Sequence, residues 1–157
     1  MFRLLLFFPL LLLSQDFFTL PDENSHYIDS YAKDLLNTKE EVIIVSSTIN
    51  EYKIMNVLKK LSKKEVSIII ITQGIKDEKN RSSYLSLLKN IQVYTLVTHP
   101  QRNIKGSMTC IDDKIFYTSS LNLEHSQIKS HYAFASKKNT PCKFLFTGFI
   151  EKSIKIQ

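Results

Sequence analysis

Lys105-Gly-Ser-Met-Thr-Cys-Ile-Asp-Asp-Lys-Ile-Phe-Tyr-Thr-Ser-Ser-Leu-Asn122 is the stretch whose reading decides the fold. Two aspartates and a lysine interrupt apolar and β-branched residues, and Ser-Ser-Leu-Asn closes the run. The pattern predicts a hairpin, with strands at Thr109–Ile111 and Ile115–Tyr117, a turn at Asp113-Lys114, and a polar loop after the second strand.

Working outward, the segments upstream alternate between two kinds of periodicity. Ile28, Tyr31, Ala32 and Leu35 recur at helical spacing and predict an amphipathic helix over residues 27–37, with Ser25 as a cap. Val42–Val45 is a continuous apolar run, as expected of a strand buried on both faces. A second helix follows, capped by Asn50, with Ile54, Val57, Leu58 and Leu61 as its buried stripe. Val66–Thr72 is a further buried strand, residues 83–89 a third short helix, and Ile91–Val97 a strand ended by His99-Pro100. Strands alternating with helices predict an α/β fold, a mixed and mostly parallel sheet flanked by helices. The hairpin and a strand at Tyr132–Ser136 extend that sheet, and Phe144–Ile156 is expected to form a final amphipathic helix.

The first residues stand apart from this core. Arg3 precedes a ten-residue apolar run, Leu4–Leu13, which is shorter than the roughly 20 residues of a spanning helix. Its shape is that of a secretory signal, although Leu12-Leu13-Ser14 is a poor cleavage site, so retention as an N-terminal anchor stays open. The formal net charge is +6, which suits an anionic partner and equally suits a merely soluble surface. Cys110 and Cys142 either pair in an oxidising compartment or remain as buried thiols. No Cys/His spacing suggests a metal site, and nothing calls for a cofactor.

The hairpin, its loop and the element order resemble the phospholipase D superfamily, whose signature is His-x-Lys, four residues, Asp, then a small-Ser-x-Asn loop. Asp112, Ser120 and Asn122 fall on the family's Asp, Ser and Asn without a gap. The likeness is greatest to the small secreted bacterial endonucleases, in which each chain carries one motif and two chains share one active site. With residues 1–15 read as a signal peptide or anchor and 16–26 as a polar lead-in, the resemblance implies 27–157 as one phospholipase D-like lobe. It also implies a metal-free phosphodiester cleavage. One His attacks phosphorus, its counterpart from the second lobe protonates the leaving oxygen, and a Glu fixes each imidazole tautomer.

In this register Lys105 stands where the nucleophilic His belongs, Ser107 where the phosphate-clamping Lys belongs, and Ala133 where the orienting Glu belongs. A protonated amine has no lone pair with which to attack. None of His26, His99, His125 and His131 is followed two residues on by Lys, so no second intact motif exists. His131, beside Ala133, is the possible substitute catalytic residue. His125 is expected to be solvated, and Cys110 to point into the core. Lys105, Ser120 and Asn122 retain the donors for a phosphate; the alternative is that Asp112, Ser120 and Asn122 merely brace their loop. Lys137, Lys138 and Lys143 add positive charge downstream.

The resulting expectation is an exported protein, periplasmic, membrane-anchored or secreted, with a degenerate active site. It would bind nucleic acid or another phosphodiester, or a protein partner, as a homodimer or as a heterodimer with an active relative. The opposing expectation is a divergent but working metal-independent phosphodiesterase or endonuclease, so enzymatic activity is left open.

Overall fold

The structure is a computed structural model and describes residues 15–22, 24–73, 88, 90–96 and 104–155. The expected third helix over residues 83–89, Leu88 excepted, and His99-Pro100 lie outside the described residues.

Eight strands form one mixed sheet: β1 (Gln15–Leu20), β2 (Glu41–Ser46), β3 (Ser67–Thr72), β4 (Ile91–Leu96), β5 (Ser107–Ile111), β6 (Ile115–Ser119), β7 (Ala133–Asn139) and β8 (Ser153–Lys155). Their spatial order is β1-β7-β6-β5-β2-β3-β4-β8. Parallel pairing joins β2, β3 and β4, the strands with continuous or alternating apolar runs, while β5, β6, β7, β1 and β8 pair antiparallel.

One face of the sheet is covered by α1 (His26–Leu36) and α2 (Tyr52–Leu61). Tyr27, Ile28, Tyr31 and Leu35 of α1 and Ile54, Val57, Leu58 and Leu61 of α2 are buried against Val42, Ile44, Ile68 and Ile70. Each such side chain contributes about 1.5–3 kcal/mol on leaving water. The opposite face packs Ile43, Val45 and Ile71 against Phe146, Phe149 and Ile150 from the chain's last described segment.

Several local details depart from the sequence reading. Residues 16–20 of the lead-in belong to edge strand β1, which pairs with β7 from Gln15↔Lys138 to Leu20↔Ala133. Ser25 makes no side-chain cap; the Asp22 carboxylate accepts from the backbone N–H of Tyr27 and Ile28 (3.3 and 3.0 Å) and does that work. Glu51 rather than Asn50 caps α2, accepting from Lys53 N. The described part of the expected Phe144–Ile156 helix, residues 144–155, does not form one helix. A 3₁₀ turn at Lys143–Phe146, then α4 (Thr147–Glu151) and then β8 make up its described residues, while the short α3 (His125–Ser130) lies before β7 and packs Ile128 into the cluster of the other face. The β-branched and aromatic residues of the tail favour that mixture over a continuous helix.

The cysteines pair. Cys110 of β5 and Cys142, at the start of the 3₁₀ turn, form a disulfide with Cα atoms 5.7 Å apart. The bridge fastens the tail to the centre of the sheet.

Candidate functional site

The hairpin turn is centred on Asp112-Asp113, one residue earlier than expected. Both have positive φ (51° and 50°), and Lys114 N donates to Ile111 O (2.9 Å). Asp tolerates this backbone region better than Lys because its short polar side chain bonds locally.

Register places the family positions at two opposite rims. Ser46, Ser107, Ser119 and Ala135 lie level across β2, β5, β6 and β7. Lys105, Ser120, Asn122 and Ala133 therefore gather at one rim, just beyond these strand ends. Asp112 lies at the other, seven residues along an extended strand, or about 20 Å away. There its carboxylate accepts from the backbone N–H of Lys39, Glu40 and Glu41 at 2.9–3.3 Å. Partial burial works to raise the Asp112 carboxyl, but the Glu40, Lys39 and Glu41 donors hold it below the usual carboxylate range. Asp112 thus anchors the start of β2 to the hairpin and takes no part in the rim. Asp113 does a matching task for the tail: its Oδ1 accepts from Cys142 N and Lys143 N, both at 2.7 Å.

At the rim that carries Lys105, Gly106 (φ +90°) is pressed against the motif loop. A Cβ on it would fall 2.3 Å from Ser119 O and 3.2 Å from Ser120 Cα. Only glycine permits this approach, and it brings Lys105 alongside Ser120. Ile104 N on the other side donates to the Gln73 side chain at the end of β3. Asn122 Oδ1 accepts from Ser47 N (3.1 Å), and Asn122 N donates to Gln127 Oε1 (3.2 Å). Its Nδ2, the exposed Ser120 hydroxyl and the exposed Lys105 ammonium have no partner among the described residues.

Ser107 and Ala133 turn the other way. Ser107 is buried, and its hydroxyl donates to Leu121 O (3.0 Å). Tyr27 is itself buried, and burial pushes its phenol well up, so it stays neutral. Ala133 packs against the same core cluster. The two positions where the family's clamp and orienter would stand are filled by core contacts.

His131 caps α3 from outside and its Nδ1 lies 3.0 Å from Ser130 Oγ; no hydrogen bond or ion pair joins it to Lys105 among the described residues. His125, expected to be solvated, is half-exposed and has a partner that the sequence did not show. Its Nδ1 is 2.7 Å from Oε2 of buried Glu51, a contact between residues 74 apart that nothing local announces. Lys137 pairs with Asp34 (2.7 Å) and Lys143 with Glu41 (2.6 Å), so neither adds free charge to the rim. Cys110, Asp113 and Cys142 bring three metal-type ligand atoms within 4.8 Å, but the sulfurs are bonded to each other and Asp113 already accepts two N–H groups.

Comparison with known proteins agrees with this architecture. The sequence profile of the family described as cardiolipin synthase, phospholipase D-like domain, matches residues 31–139. No curated protein matches the sequence. The fold is similar to NucT from Helicobacter pylori (TM-score 0.80, 18% identity, 91% of this chain and 99% of that one). It is also similar to Nuc from Salmonella typhimurium, a phospholipase D family member (TM-score 0.73, 14% identity, 92% and 98%). The likeness extends to phosphatidylserine synthase from Haemophilus influenzae (TM-score 0.65, 10% identity), where this chain matches 40% of the larger protein.

Proposed function

Because the chain belongs to the phospholipase D-like family, we propose that it binds a phosphodiester through Lys105, Ser120 and Asn122 and does not hydrolyse it by the family's route. One observation carries this reading: at the rim Lys105 and Ser120 are exposed and, with the half-buried Asn122 Nδ2, have no partner among the described residues, while Ser107 is buried and Ala133 packs against the core. An ammonium, a hydroxyl and an amide N–H₂ can hold phosphate oxygens. Without a nucleophile at 105 or a carboxylate at 133, the covalent step has no actor.

Binding of a labelled oligonucleotide should loosen steeply with salt, since each neutralised phosphate releases counterions. Lys105→Glu should cost about 1.5–3 kcal/mol, the worth of a specific charged contact. Lys138→Glu, on strand β7 away from the rim, should cost less than about 1 kcal/mol. Equal, small losses at both positions would reduce any binding to bulk basicity and remove the site.

We also propose a two-fold homodimer, or a heterodimer with an active relative, across the side of the rim that carries Ser120. Support comes from three exposed aromatics there: Tyr132 (92% exposed), Phe134 (72%) and Phe17 (73%). Ser120 N donates to Phe134 O, so this patch adjoins the motif loop. Clustered exposed aromatics of this size mark contact surfaces. Light scattering should give a dimer that Phe134→Ser weakens; a monomeric wild-type protein at high concentration and moderate salt would sink the homodimer. The disulfide supports export to an oxidising compartment, with residues 4–13 serving as signal or anchor.

A further inference from the structure

The chain enters the sheet at the rim opposite the motif loop. β1 begins at Gln15, which pairs with Lys138, next to the Asn139↔Ile115 end of β7. Ile115 lies level with Ile111, and Ile111 with Val42, so this is the rim where Asp112 anchors the start of β2. From there β1 runs six residues, or about 17–20 Å, to Leu20 and Ala133 at the rim of Lys105 and Ser120. The apolar run Leu4–Leu13 ends two residues before Gln15 and so leads into the domain on the side away from the phosphate donors.

The same rim exposes apolar side chains. Lys143 N donates to Asp113 Oδ1 and Lys143 Nζ pairs with Glu41 Oε2 (2.6 Å), which fixes the start of the 3₁₀ turn there. Phe144 and Leu145 follow directly and are 68% and 41% exposed, whereas Phe146 is buried. Leu36, the last residue of α1, is 38% exposed, and its carbonyl oxygen accepts from Lys64 Nζ. Charge is balanced: the connections 37–41, 62–67, 111–115 and 139–143 hold five lysines and five carboxylates.

We infer that this rim rests on a lipid bilayer, with Phe144 and Leu145 in the interface beside the apolar run, and that the motif loop faces away from the membrane. Of the two roles given to residues 4–13, this contact commits to the anchor. Ten apolar residues are half of the roughly 20 that cross the hydrocarbon core. No helix among the described residues is long and apolar enough to cross it either. One short apolar insertion holds a protein weakly, and stable attachment takes a second contact. Exposed Phe144 and Leu145, on the rim where the run enters, supply it. Because the charges cancel, the hold is apolar and needs no anionic lipid. The contact is independent of the phosphodiester reading, whose donors stand about 20 Å from the bilayer in this orientation.

The chain contains no tryptophan, so Phe144→Trp and Tyr52→Trp each place one fluorophore in the full-length protein. They report on opposite rims, since Tyr52 opens α2 just after β2 ends at Ser46. Each variant is mixed with phosphatidylcholine or phosphatidylglycerol vesicles, with and without brominated acyl chains. Phe144→Trp should shift to the blue and be quenched by the brominated chains, in both lipids and at low and high salt. Tyr52→Trp should not change. Replacing Phe144 and Leu145 together by serine should weaken vesicle binding about tenfold and leave the melting midpoint in place. Lys105→Glu should bind vesicles as the wild type does. Equal quenching of both reporters, bound protein with no quenching at residue 144, or no vesicle binding at all would overturn this orientation. Binding confined to phosphatidylglycerol and released by salt would overturn it too, leaving only bulk basicity. Loss of vesicle binding in Lys105→Glu would place the lipid headgroup at the motif loop, which overturns the proposed face while the phosphate site stands.

Discussion

Replacing both Cys110 and Cys142 by serine is expected to lower the stability of the fold by about 3–4 kcal/mol. The bridge closes a loop of 32 residues of sequence separation, and the chain-entropy account gives that magnitude for a cross-link of this span. For a chain of this length the melting midpoint should fall by roughly 10 °C. The loss has a structural route too: without the bridge, the tail that covers Ile43, Val45 and Ile71 is held by Asp113 and by packing alone. Thermal unfolding of wild type with and without reductant, beside the double variant, measures the effect. Coincident midpoints in all three samples would mean that the tail docks without help from the disulfide.

Gly106→Ala is expected to be the most damaging single substitution at the rim. A positive φ of 90° is strained for any residue with a Cβ, and here the added carbon would also meet Ser119 O at 2.3 Å. Strain of this kind costs about 1–3 kcal/mol before the clash is counted. Relief of the clash requires β5 to move away from the motif loop, which separates Lys105 from Ser120. Both stability and oligonucleotide affinity should therefore fall together. Gly148→Ala, where no atom lies within 4 Å of the added Cβ, should leave both nearly unchanged. A stable Gly106→Ala protein with wild-type affinity would show that the close approach of Gly106 to the loop does not matter.

The parts of this fold that were legible in the sequence are those whose signal is local. The stripe Ile54, Val57, Leu58 and Leu61 repeats at helical spacing, and all four residues are buried. Val42–Val45 reads as a strand covered on both faces, and its side chains do divide between the two core clusters. What escaped is decided by partners distant in sequence. β1 is exposed along most of its length, with Leu20 its one buried residue, and acquires its identity only from pairing with β7, more than a hundred residues on. β8 is three residues long and exists because Tyr94–Leu96 offers an open edge. Whether the cysteines pair depends on where the tail crosses β5, which no spacing rule encodes.

The candidate site shows the same division. Spacing alone aligned Asp112, Ser120 and Asn122 with the family pattern, and it identified 105, 107 and 133 as departures. It could not tell that Asp112 works at the opposite rim on the N–H groups of Lys39, Glu40 and Glu41. Nor could it tell that His125 rather than His131 is the histidine with a buried carboxylate partner. Those facts belong to tertiary contacts between residues roughly seventy to eighty positions apart.

The central claim, binding without hydrolysis, is tested most directly by following one labelled phosphodiester oligonucleotide through binding and recovery in the same sample. Purified protein in excess, at low salt and with a chelator present, should retain the label and release it uncut when salt is raised. Cleaved product that accumulates with turnover would contradict the account. Cleavage that survives Lys105→Ala and vanishes with His131→Ala would replace it with a working enzyme whose nucleophile has moved.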